Sequence, residues 1–290
     1  MNKIPVFLHI PKNAGTYVLS NVEKLFRYYM LNVGHPNTAY CNLWIRKFYI
    51  IDSENFQYAT LFVYDPNENR KKNNKIIPKA TNKHVDVINI DHFNSVLEDF
   101  QNKKFELFSI IIEPRGAKLI AESFFQNICE KANKIPLYYT IFRKPYERAL
   151  SLYNYIKSKD SEHELTHNAI HADTFEEYLR SHQLEESWII RSAACVRDGA
   201  TISEEDFKTV CNILKNFKIV DITKTDNLID EVFMECYGVT RDIIKDHKNI
   251  NKNATQKVIN KSFDNLNDEL KQLFLERTKF DNQLYDYFIK

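Results

Sequence analysis

Pro5-Val6-Phe7-Leu8-His9-Ile10-Pro11-Lys12-Asn13-Ala14-Gly15-Thr16 is the stretch whose reading decides the fold. Its first six residues form an apolar run closed by a proline, which suits a buried parallel strand. Pro11 to Thr16 is a turn of small residues. From Thr16 to about Leu31, the residues Val18, Leu19, Val22, Leu25, Phe26 and Tyr29 recur at helical spacing. A strand, a tight glycine turn and a helix therefore open the chain. Such a turn aims several backbone N–H groups in one direction, and the helix N-terminus adds its positive dipole end. Gly15 lets the backbone approach an anion closely, and Thr16 offers a hydroxyl. The Lys12 ammonium can reach the bridging oxygen on which charge develops when a phospho-anhydride breaks. The spacing differs from GxxxxGK[ST], so this is not an ordinary ATPase loop. Taken alone, the pattern also fits a plain strand–helix turn.

Outward from this unit, strands are expected at 48–51, 59–64, 85–90, 108–112 and 137–142, with one more at 217–220. Helices are expected over 116–132, from Tyr146 through Tyr155, and then at 175–181, 186–196, 204–216, 226–237 and 264–287. Alternating strands and helices with helix-rich flanks predict an α/β chain: a parallel sheet wrapped by helices. The 290 residues suit a single domain. There is no internal repeat and no convincing linker.

A second segment, Tyr139-Thr140-Ile141-Phe142-Arg143-Lys144-Pro145-Tyr146-Glu147-Arg148-Ala149-Leu150-Ser151, also carries chemistry. Arg143 sits at the C-terminal edge of a strand, where open α/β sheets bind ligands. Pro145 fits the first turn of the following helix, and Ser151 lies inside it. A guanidinium fork and a hydroxyl placed this way can hold one phosphate; Arg143 alone equally suits a surface ion pair.

Bulk properties narrow the classes. A formal net charge of +1 argues against a general polyanion binder, so no nucleic acid is expected. The hydrophobic fraction of 43% supports a sizeable core. Cys41, Cys129, Cys195, Cys211 and Cys236 are odd in number and lack CxxC spacing, which favours reduced thiols over zinc or a disulfide framework. No run of about 20 apolar residues spans a membrane and no leader pattern opens the chain, so a cytoplasmic location is expected. The run Arg70-Lys71-Lys72-Asn73-Asn74-Lys75 reads as a solvated loop.

His9-Ile10-Pro11-Lys12-Asn13-Ala14-Gly15-Thr16 resembles the 5'-phosphosulfate loop of sulfotransferases that use 3'-phosphoadenosine 5'-phosphosulfate (PAPS). Phe142-Arg143-Lys144-Pro145-Tyr146-Glu147-Arg148 through Ser151 resembles their 3'-phosphate motif. The nearest branch by this likeness is the carbohydrate sulfotransferases related to heparan-sulfate 2-O-sulfotransferase. Trp188 through Cys195 resembles that branch's helix with a Thr-Arg pair, here with Ile190 before Arg191. Phe217–Phe233 and Glu269–Tyr287 resemble its late strand with acidic helix and its closing helix. The likeness is weakest over 35–135, and 93–135 looks like an extra strand and helix.

The resemblance implies a three-layer, P-loop-like fold with a helix-rich C-terminal half. It also implies in-line sulfuryl transfer from PAPS to a hydroxyl acceptor, with a saccharide favoured, and no metal. It assigns Pro11, Lys12, Asn13, Ala14, Gly15, Thr16, Tyr17, Arg143 and Ser151 to the donor, with Lys12 on the leaving oxygen. Asn13 stands where a Thr or Ser is commoner. His92, in Ile90-Asp91-His92-Phe93, resembles a Gly-His-Phe segment and is the expected general base. Glu113, which also ends a strand, is its rival, with His84 and His35 further candidates. His163, His167 and His171 share helical spacing and read as solvated or acceptor-facing. His247–Thr255 is the expected counterpart of the loop that closes on the donor, and Arg191 suits either substrate or core. Two other readings compete: a catalytically silent nucleotide-binding protein on the same scaffold, and a kinase-like phosphoryl-transfer enzyme, for which the Walker lysine pattern is missing.

Overall fold

The computed structural model describes residues 2–32, 46–64, 85–102, 105–157, 172–184, 186–244 and 261–290. Its centre is a seven-stranded sheet of β1 (Lys3–Leu8), β2 (Arg46–Ile51), β3 (Gln57–Tyr64), β4 (Val85–Asn89), β5 (Glu106–Ile112), β6 (Ile135–Phe142) and β7 (Lys218–Asp221). The strand order is β4-β2-β3-β5-β1-β6-β7. β1 lies parallel between β5 and β6, β7 is parallel to β6, and β4 is parallel to β2.

β3 departs from the expected parallel sheet, running antiparallel to both β2 and β5. The cause is local. Only residues 52–56 separate β2 from β3, and a connection that short can join only antiparallel neighbours. Asp52 shapes it, accepting from the N–H groups of Glu54 and Phe56 at 2.9 Å each, while Asn55 takes φ 64. The 106–112 strand is also no peripheral addition: β5 is inserted beside β1 in the middle of the sheet.

Successive side chains of a strand face opposite sides, and both sides of this sheet are covered. Val6 and Leu8 of β1 join one core cluster and Phe7 joins the other. On the Phe7 side lie α1 (Gly15–Asn32) and α9 (Thr225–Tyr237), which contribute Val18, Val22, Leu25 and Leu228, Val232, Phe233. On the Val6 side lie α2 (Asn94–Gln101), α3 (Ala117–Ala121), α4 (Phe124–Lys131), α7 (Trp188–Ala193), α8 (Glu204–Leu214) and α11 (Lys279–Ile289). The result is helix, sheet, helix: three layers. A further aromatic cluster joins α5 (Pro145–Lys157), α6 (Phe175–Arg180) and α10 (Asp268–Arg277) around Tyr146, Tyr153, Phe175 and Phe274.

Two expected long helices are each two. The 116–132 helix breaks at Ser123, which takes φ 59, and the closing helix breaks at Thr278, with φ −106 and ψ 20. The second break lets α11 turn inward. Asp281, fully buried, accepts from the backbone N–H groups of Ile189 (3.1 Å) and Ile190 (3.2 Å). It thereby caps α7, whose own preceding residue, Ser187, supplies no side-chain cap. Burial holds the Asp281 carboxyl above its ordinary range, against the smaller opposing pull of the Arg148 charge and the two amides. Arg277 ties the same region together by donating to the carbonyls of Leu179 and Ser181, and to that of Leu184.

Cys129 and Cys236 are buried free thiols, and burial pushes each up to about 12. Among the described residues no helix is long and apolar enough to cross a membrane. Nor do any three His, Cys, Asp or Glu side chains there gather as a metal site would require.

Candidate functional site at the C-terminal edge of β1, β5 and β6

The loop of residues 9–14 leaves β1 at the edge where β5 and β6 also end, because the three strands are parallel neighbours. Lys12 and Ala14 take φ values of 70 and 64, and neither is glycine. Each such residue costs on the order of 1 kcal/mol or more, so the surroundings must hold the loop in place. Asn13 does so. It is fully buried, its side-chain amide donates to the Ile141 carbonyl of β6 at 2.9 Å, and its backbone N–H donates to Ile10 at 3.1 Å. Its Oδ1 is buried with no hydrogen-bond partner. The Asn13 side chain is therefore a clamp pointing into the protein. Alternating left-handed residues then run into α1, whose first N–H groups, at Gly15, Thr16 and Tyr17, have no carbonyl within the helix to take them.

Arg143 follows β6 and reaches this loop: its Nη1 donates to the Lys12 carbonyl at 3.4 Å. Its Nε is buried without a hydrogen-bond partner, with Glu147 3.7 Å away as a loose ion pair. The Lys12 ammonium lies 3.6 Å above the ring of Tyr155, near the end of α5. Ser151 is one turn before Tyr155 and so lies on the same face of α5. The loop, Arg143 and the Ser151 face thus meet at one edge. Tyr17 is used differently. Its hydroxyl donates to Asp226 at 2.7 Å and accepts from Arg241 at 2.8 Å, tying α1 to α9.

His92 lies on the same C-terminal side of the sheet, since β4 runs in the direction of β1, but at the far end of the strand order. It is exposed on a single 3₁₀ turn (Ile90–His92) after β4, the edge strand on the β2 side of the sheet. β4 is four strand positions from β1 in the order given above, roughly 19 Å at ordinary inter-strand spacing. The insertion of β5 beside β1 brings in Glu113 instead. The register pairs Leu8 with Ile112, so the next residues along, His9 and Glu113, are neighbours. His9 Nδ1 lies 3.1 Å and 3.2 Å from the two Glu113 carboxylate oxygens. His9 was not singled out in the sequence, although it is the polar residue that closes an apolar strand, the same signal that marks Glu113.

Gly15 explains itself against His9. A Cβ there would fall 2.1 Å from both Cδ2 and Nε2 of the His9 ring. Alanine ordinarily stabilises a helix over glycine by about 1 kcal/mol. Here Gly15→Ala must push the imidazole off Glu113, so a net loss of roughly 1–3 kcal/mol is expected. In a His9→Ala background the same change becomes neutral or stabilising. Urea unfolding of the four proteins of that cycle measures this, and strict additivity would disprove the contact.

Arg191 is committed to structure: its Nη1 donates to the carbonyls of Arg197 and Ala200 at 2.9 Å each. His35, His84, His163, His167, His171 and the 247–255 segment lie outside the described residues. No family model, no curated protein and no solved structure matches this chain.

Proposed function

We propose that this chain is a sulfotransferase that moves the sulfuryl group of PAPS to an acceptor hydroxyl, with a saccharide as the favoured acceptor. The observation that carries the reading is the meeting of the Lys12–Thr16 loop with Arg143. Two segments separated by 131 residues in sequence, and each resembling one half of a PAPS site, share a hydrogen bond at one sheet edge. In this reading the loop amides and the α1 N-terminus hold the 5'-phosphosulfate end. Arg143, whose Nε has no hydrogen-bond partner, and Ser151 hold the 3'-phosphate. Lys12 stabilises charge on the leaving phosphate oxygen as the S–O bond breaks. Sulfuryl transfer parallels phosphoryl transfer in that positioning and charge stabilisation supply most of the rate.

Asn13 supports a revised role. Its side chain faces the Ile141 carbonyl, so the donor would meet only its backbone. Of the two foremost base candidates, His92 follows a strand four positions from β1 and Glu113 borders the loop.

Titration calorimetry with adenosine 3',5'-bisphosphate tests the reading. The wild-type chain is expected to bind. Arg143→Ala should weaken binding about 10- to 100-fold, the weight of a charge-assisted contact. Ser151→Ala should weaken it about three- to tenfold, as for a neutral one. No heat of binding in a folded wild-type sample would remove the proposal. Binding without transfer to any acceptor would leave a nucleotide-binding protein.

A further inference from the structure

We propose that His9 accepts the acceptor's proton in this reaction, and that Glu113 is the positioning residue that fixes its tautomer; the inference rests on the sulfuryl-transfer reading above. Both Glu113 oxygens face Nδ1 of the imidazole, at 3.1 Å and 3.2 Å. A carboxylate can only accept, so the ring proton belongs on Nδ1, an assignment made from the hydrogen-bond partners. The lone pair is then on Nε2. Among the described residues Nε2 has no hydrogen-bond partner; the polar contacts of the His9 side chain run through Nδ1.

The position of Nε2 is what makes the pair chemically useful. It lies against Gly15, at the first residue of α1, where the loop amides converge. An acceptor hydroxyl approaching a sulfuryl group held by those amides would meet this nitrogen. The His9 side chain is 29% exposed, enough to pass a proton on to solvent. Imidazole is also the side chain whose ordinary ionisation spans neutrality, as proton transfer at neutral pH requires.

The step balances. The acceptor oxygen forms a bond to sulfur while the bond from sulfur to the bridging phosphate oxygen breaks, and that electron pair goes to the phosphate oxygen beside Lys12. The acceptor proton passes to Nε2. The resulting imidazolium is paired with the Glu113 carboxylate until Nε2 returns the proton to water. A base, an orienting acid and a nearby group on the leaving oxygen are the parts an acyl-transfer triad also needs, arranged here around sulfur.

The test uses the full chain labelled with ¹⁵N, together with sulfur-labelled PAPS and a panel of simple saccharide, phenol and peptide hydroxyls. Long-range ¹H–¹⁵N spectra are expected to show His9 protonated at Nδ1 and bare at Nε2. In Glu113→Gln the side-chain amide can donate to Nδ1, which moves the ring proton to Nε2. Turnover is expected to fall about 100- to 10,000-fold in His9→Ala, the usual weight of general-base catalysis. Glu113→Gln should lose activity alongside its tautomer change, and His9→Gln provides a second variant that fills the same space. Affinity for adenosine 3',5'-bisphosphate should stay at the wild-type value in all three. A bare Nδ1 in the wild-type chain, full turnover in His9→Ala, or bisphosphate binding with no transfer across the panel would each overturn the proposal. Absence of bisphosphate binding in the wild-type chain would instead sink the sulfuryl-transfer reading on which it rests.

Discussion

Asp281→Ala is expected to cost about 3–5 kcal/mol of unfolding free energy, because it leaves buried partners without their counter-group. The carboxylate is wholly buried on α11 and accepts two backbone N–H groups that open α7. Removing it orphans both donors, each worth about 1–3 kcal/mol when left buried and unpaired. It also deprives the buried guanidinium of Arg148 of the nearby negative charge that now offsets it. Ordinary domains hold only about 5–15 kcal/mol in all, so the variant should be close to unfolding. Asp281→Asn keeps an acceptor oxygen but no charge and should fall between alanine and wild type. Urea unfolding followed by far-UV circular dichroism reads both. A loss under about 1 kcal/mol for alanine would mean that the α7 amides find other acceptors.

The second large effect concerns rate. On the proposed sulfuryl-transfer reading, Lys12→Ala lowers kcat by about 10²–10³, the range for removing one group that meets developing charge. The backbone should not respond. Lys12 already takes a left-handed φ of 70, and alanine carries the same Cβ penalty there as lysine does. The Asn13 clamp to Ile141 and the Arg143 contact to the residue 12 carbonyl both survive, since neither uses the lysine side chain. The expected result is an unchanged urea midpoint, a modest change in bisphosphate affinity and a large loss of kcat. The ammonium now lies over the Tyr155 ring, so Tyr155→Ala offers a milder companion that removes the resting contact and leaves the charge. If Lys12→Ala lost donor affinity and kept kcat, the lysine would be a binding group only.

The opening strand, turn and helix were legible in the sequence because three local signals agree there: an apolar run, a small-residue turn and a helical period. β1 came out at Lys3–Leu8 and α1 at Gly15–Asn32, within two residues of expectation. Arg143 at the end of β6 was equally plain, with Pro145 opening α5. What the sequence hid was strand order. His92 and Glu113 each end a strand, and no local feature says which strand lies beside β1. The turn at Asp52 reverses the chain, β3 takes the antiparallel place, and β5 fills the slot next to β1. The His9–Glu113 pair exists only through that register. Asn13 was opaque for a related reason: its partner, a main-chain carbonyl of β6, has no side-chain signature. The breaks at Ser123 and Thr278 were missed because neither position carries a glycine or proline to announce it.

The clasps that shape the loop after β1 come from far downstream: Glu113 is 104 residues beyond His9, Ile141 is 128 beyond Asn13, and Arg143 is 131 beyond Lys12. During synthesis the amino-terminal segment must therefore wait on the ribosome until β5 and β6 have emerged. Contacts of such span form slowly and expose apolar strands in the interval. A nascent chain halted before residue 113 would present β1 to the cell with none of these three clasps to seat its loop. Chaperone demand and yield should therefore track how quickly that middle segment docks, more than any property of the first thirty residues.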